Sequence, residues 1–134
     1  MYLSILTTEQ KKLFLDLAYN LAISDGDFSE YERQILKSYS IEMEMKVKME
    51  DFDTNIDSII NNLNSICKAR EKKIIIFEII GLAMIDHHFD NCEKEIVRKA
   101  LSVFELEEDF VKYCERKLTE YFKLQDELNK YILS

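Results

Sequence analysis

The chain has 134 residues, the length of one domain. It carries 18 Lys and Arg against 26 Asp and Glu, a net charge of −8, and 47% of it is apolar, with no Pro, no Trp and two Gly. That apolar content excludes a disordered chain, and the scarcity of Pro and Gly argues against a β-sandwich with many tight turns. The acidic balance argues against sequence-independent nucleic-acid binding and against anionic lipid, both of which need a basic surface. It leaves cations and basic partners open, alongside plain solubility. Cys67, Cys92 and Cys114 are odd in number and form no Cys-x-x-Cys pair, which disfavours a disulfide framework or a four-cysteine zinc site. Met1–Leu6 lacks the basic and long apolar regions of a signal peptide, and the expectation is a cytoplasmic protein with no membrane insertion.

In chain order, Thr7 with Gln10 forms a capping box, and Leu13, Phe14, Leu17, Ala18, Leu21 and Ala22 then recur at helical spacing. Gly26 should end this helix by adopting the left-handed conformation. Ser29 with Glu32 opens a second helix through Ile35, Leu36 and Tyr39. Ile41, Met43, Met45, Val47 and Met49 alternate with Glu and Lys, so residues 41–53 read as extended or irregular, with the methionines as core filling. Asp53 or Thr54 caps a third helix through Ile56, Ile59, Ile60, Leu63 and Ile66. A fourth runs from about Arg70 to Asp86. Its Ile74–Ile85 stretch is apolar nearly all round, which predicts burial on most sides. Within it, Gly81 suggests close approach of a neighbouring helix, and Glu78 is read onto a narrow solvent-facing seam. Asp90 with Glu93 caps a fifth helix through Ile96, Val97, Ala100, Leu101 and Phe104. The last helix starts near Glu107, where the helix dipole favours acids. It follows a stripe from Phe110 and Val111 through Cys114, Leu118, Tyr121, Phe122 and Leu128 to Tyr131 and Ile132.

A shift of 61 residues lays Leu21–Glu32 over Leu82–Glu93, with Leu, Ala, Asp, Phe and Glu identical at five of the twelve positions. Each half is then a buried helix, an acidic turn, a Phe and a second capped helix. This predicts an all-α bundle of about six helices with two helix–turn–helix units about a pseudo-two-fold axis: one over residues 8–40, one over 70–104, and a C-terminal helix over 107–132.

The turns gather Asp25, Asp27 and Glu32 in one unit and Asp86, Asp90 and Glu93 in the other. Carboxylates around a tight turn are hard oxygen ligands suited to Ca²⁺ or another divalent cation. Residues 25–32 match the second half of an EF-hand loop. The first half fails, because Leu21 and Ile23 would occupy ligand positions. Only a site shared between facing half-loops is left on this reading. The competing reading is capping alone, since Ser29/Glu32 and Asp90/Glu93 are complete boxes. His87 and His88 read as surface groups rather than zinc ligands. Cys92 has no orienting acid at a diagnostic spacing. No phosphate loop or nucleophile elbow is present, so no catalytic activity is expected.

Leu21–Glu32 followed by Ile35 and Leu36, and Phe77–Asp86 followed by Glu93 and Ile96, resemble the signature of the TerB-like (tellurite-resistance) family over roughly residues 8–130. The resemblance implies an all-helical two-repeat fold and no enzymatic activity. It implies metal-ion binding or sensing at Asp25, Asp27, Glu32, Asp86 and Glu93. It also implies a role in stress-response complexes near the membrane or as a co-chaperone-type module. His87-His88 departs from the second Asp-Gly such a signature would carry. The expected partner is a protein, with a metal-free scaffold of acidic surface as the alternative function.

Overall fold

The computed structural model describes residues 1–24, 26, 30–46, 51–85 and 90–134. Among them the fold is all-helical. A short 3₁₀ turn, Leu3–Ile5, precedes α1 (Thr8–Ile23), α2 (Glu30–Glu42), α3 (Ile56–Ile66), α4 (Ala69–Met84), α5 (Asn91–Phe104) and α6 (Glu108–Ile132). The central pair is α1 and α4. Helix α1 packs on α2, α3 and α5, and α4 packs on α5 and α6. Phe14, Leu17, Ala18 and Leu21 of α1 are buried together with Ile75, Ile76, Ile79 and Ile80 of α4. The near-continuous apolar run of α4 thus has the burial its composition requires.

The 61-residue shift reappears as geometry. Thr8 and Ala69, the first residues of α1 and α4, are one shift apart, as are Glu30 and Asn91, the first residues of α2 and α5. Both α1 and α4 end on an αR cap, Ser24 and Ile85, whose N–H groups donate to Leu21 O and Leu82 O. The N3 residues also correspond. Gln10 Oε1 accepts from Thr7 N at 2.9 Å, and Glu71 Oε1 accepts from Lys68 N at 3.2 Å. Burial and that backbone donor act oppositely on Glu71; the donor prevails, and its carboxyl titrates below the usual range.

The correspondence extends to the ends of α2 and α5, which the alternating Met43–Met49 pattern had obscured. Ile41 and Glu42 are helical, so the period-two expectation fails there. The chain then stops in a Schellman turn: Met45 N donates to Ser40 O at 2.8 Å and Glu44 N to Ile41 O at 3.0 Å. One shift later, Leu106 N donates to Leu101 O at 3.1 Å and Glu105 N to Ser102 O at 3.3 Å. The left-handed position holds glutamate both times, with φ of 56° at Glu44 and 57° at Glu105. Met43 and Phe104 fill equivalent buried positions. Val47 and Met49 lie outside the described residues.

Three further expectations change. Helix α3 is capped by Asn55, whose side chain accepts from Ser58 N. Asp53 instead accepts from Asn55 N, which orients that cap. Gly81 faces α6, but a Cβ there would lie 3.7 Å from Leu118, ordinary contact, so the approach does not require glycine. Glu78 is buried at 6% exposure rather than on a wet seam. Met1 N and Tyr2 N donate to its Oε1 at 2.8 and 2.9 Å, which satisfies the carboxylate inside the fold. Glu42 accepts from Leu3 N at 3.2 Å, so residues 1–3 are held between the end of α2 and the middle of α4. Gly26 has φ of +83°, the left-handed conformation expected of it.

Candidate functional site

Two regions compete as the functional site. The first is the pair of acidic turns. Of their residues, Asp25, Asp27, Asp86 and the neighbouring Ser29, His87 and His88 lie outside the described residues. Glu32 sits half-buried in the first turn of α2. Asp90 and Glu93 bind each other's backbone. Asp90 Oδ1 accepts from Glu93 N at 2.8 Å, and Glu93 Oε1 accepts from Asp90 N at 3.3 Å. This complete box satisfies two N–H groups at the start of α5. One oxygen of each carboxylate is thereby used in capping. Among the described residues no three or more His, Cys, Asp or Glu side chains gather where they could hold a metal ion.

The thiols are free. Cys67 and Cys114 are buried and Cys92 is exposed. Burial pushes both buried thiols up to about 11, which makes them poor nucleophiles near neutral pH. Burial, reinforced by Glu78 and Glu42, also pushes the Tyr39 hydroxyl far above its ordinary range. These shifts accompany core packing rather than a cleft, and they assemble no acid–base pair.

The second region is an open apolar groove of about 590 Å³ between the 3₁₀ turn, α4 and α6. Tyr2, Ile5, Phe77, Phe110, Tyr113 and Tyr121 line it. Tyr2 and Phe77 meet edge to face with centroids 5.6 Å apart. Arg70, Lys73 and Lys117 stand along it, three cations against an overall charge of −8. The groove runs on into the distal half of α6. That helix buries Cys114 and Leu118 and half-buries Phe122, and from Lys123 onward every residue is exposed. Leu124 and Leu128 are about half exposed, and Tyr131 is 84% exposed. The apolar stripe of α6 is therefore buried only in its first half. The periodicity could not separate the halves, because it reports which residues share a side and not what covers them. The signal was helix length: 25 residues outrun the 11 to 16 of the other helices.

A further polar group, invisible in the sequence, pins residues 51–53 to α1. Asn20 Nδ2 donates to Asp16 O and Asp53 O, both at 2.7 Å, and Asp53 N donates to Asp16. Lys12 Nζ donates to Asp16 and to Asp51 O, and Phe52 stacks on Tyr19 with centroids 4.6 Å apart. The i, i+4, i+8 spacing of Lys12, Asp16 and Asn20 puts these polar groups on one stripe of α1. Its role is structural.

No described helix is long and apolar enough to cross a membrane. No protein-family model, no curated protein and no solved structure matches the chain.

Proposed function

We propose that the chain is a non-enzymatic, TerB-like helical interaction module that works through the face formed by the 3₁₀ turn, α4 and α6. The observation that carries this reading is the continuous apolar strip from the groove to Tyr131, exposed along the distal half of α6. Contiguous apolar surface rimmed by polar groups marks an association site more often than an idle surface. The resemblance assigns such a module to stress-response complexes, tellurite resistance among them.

A photo-crosslinking residue in place of Tyr131 tests the reading in living cells. Protein adducts at position 131, absent when the probe replaces Lys37 on the exposed side of α2, are the expected result. No adduct above that control overturns the proposal.

Cation binding at the duplicated turns is a second reading, supported by the matching helix ends at Ser24 and Ile85 that open into both turns. Millimolar Ca²⁺ should then raise the melting temperature of the wild type and leave the Asp25→Asn, Asp86→Asn variant unmoved. An unmoved wild type excludes it.

A further inference from the structure

Resting on the interaction reading, we infer that the partner is a second copy of this chain. Two α6 helices pack antiparallel, so that the distal half of each lies in the groove of the other.

Two observations carry this. The first is shape. Helix α6 is continuous through Tyr121, so its distal half points away from its own groove and cannot fill it. Phe110, Tyr113, Lys117 and Tyr121 line the groove, while Tyr121, Leu124, Leu128 and Tyr131 continue on the same side, three or four residues apart throughout. Each half spans about 15 Å of helix. A two-fold axis near Tyr121 therefore lays one half on the other, the self-complementary geometry of an isologous dimer.

The second is area. Tyr2, Ile5, Tyr113, Tyr121, Leu124, Leu128, Tyr131 and Ile132 are each 42% to 84% exposed. Together they present on the order of 800 Å² per copy, which is what one side of a standard-size interface contributes.

Sedimentation equilibrium at micromolar concentrations tests the dimer. The wild type should have the dimer mass. Leu128→Asp in the distal half and Tyr113→Asp in the groove should each give a monomer that still folds and melts cooperatively, because both side chains are about half exposed within one copy. In a Cys92→Ser background, which removes the exposed thiol, Tyr121→Cys should form a disulfide-linked dimer on mild oxidation. Ser65→Cys, on the far side of the bundle, should not. A monomeric wild type, a dimer indifferent to both aspartates, or no cross-link through position 121 overturns the inference. Adducts to a different protein at position 131, with the chain itself monomeric, would overturn the dimer and leave the interaction reading standing. No adduct at all would overturn both.

Discussion

The two left-handed glutamates give the sharpest test of the repeat as a physical object. Glu44 and Glu105 end equivalent helices with φ of 56° and 57°, where Cβ crowds the following carbonyl. That conformation costs a residue with a side chain about 1–2 kcal/mol. Glycine avoids the crowding but loses more backbone freedom on folding, which returns up to about 1 kcal/mol of the gain. Glu44→Gly and Glu105→Gly should therefore each stabilise the fold by about 0.5–1 kcal/mol. At this chain length, each 1 kcal/mol raises the melting temperature by about 3–5 °C. Both side chains are exposed, so no packing is lost. Thermal melts by circular dichroism, with the alanine variants alongside, separate conformation from charge. Alanine removes the carboxylate but keeps the Cβ, and it should gain almost nothing. A glycine variant no more stable than its alanine partner at either site would refute the argument that the backbone is strained there.

The glycines that are present should behave oppositely to each other. Gly81→Ala should stabilise by up to about 1 kcal/mol, because helix propensity improves and the new methyl meets Leu118 at 3.7 Å without a clash. Gly26→Ala should destabilise by about 1 kcal/mol although nothing lies within 4 Å, because its φ of +83° is the obstacle. Urea titration of the two variants checks both signs. Asn20→Ala should cost about 1–3 kcal/mol by leaving the Asp53 carbonyl without its donor, and hydrogen exchange in residues 51–55 should quicken before exchange elsewhere. Glu71→Gln is a pH test. The Glu71 carboxyl titrates below its usual range, so its contribution is present above the unfolded pKa and lost as pH falls through the lower folded one. The glutamine variant keeps the acceptor for Lys68 N and should flatten the acid limb of the stability curve. An unchanged acid limb would show that Glu71 is not coupled to folding.

Residues that act locally were the legible ones. Thr7 with Gln10 and Asp90 with Glu93 cap α1 and α5 as their spacing dictates, because a capping box involves only residues three apart. Helical periodicity placed the core faces of α1, α4 and α5 for the same reason. Local pattern failed where tertiary partners decide. Met43 and Met45 alternate with charges like a strand, yet a buried methionine and a Schellman turn end a helix there. Glu78 looked misplaced in an apolar helix until Met1 N and Tyr2 N, more than 70 residues away, supplied its donors. At the duplicated turns, the sequence shows which carboxylates are near in the chain. Whether they converge depends on how α1 and α4 cross, which no spacing encodes.

The departures from the repeat explain where a surface for association arises. Among the described residues the two units agree from the caps of α1 and α4 through the left-handed glutamates. The chain reaches Lys46 in the first and Glu107 in the second one shift apart. There the units part. The second enters α6 at Glu108, whereas the first reaches α3 only at Ile56, after Phe52 and Asp53, which Asn20, Asp16 and Tyr19 hold against α1. Helix α3 stops after 11 residues, with Gln10 Nε2 donating to the carbonyl of Ile66 at its end. Helix α6 runs on for ten residues past Phe122, and there Leu124, Leu128 and Tyr131 are exposed. A bundle built from two like halves can cover two third helices of like length. Lengthening one of them therefore carries apolar side chains past the described helices that could cover them.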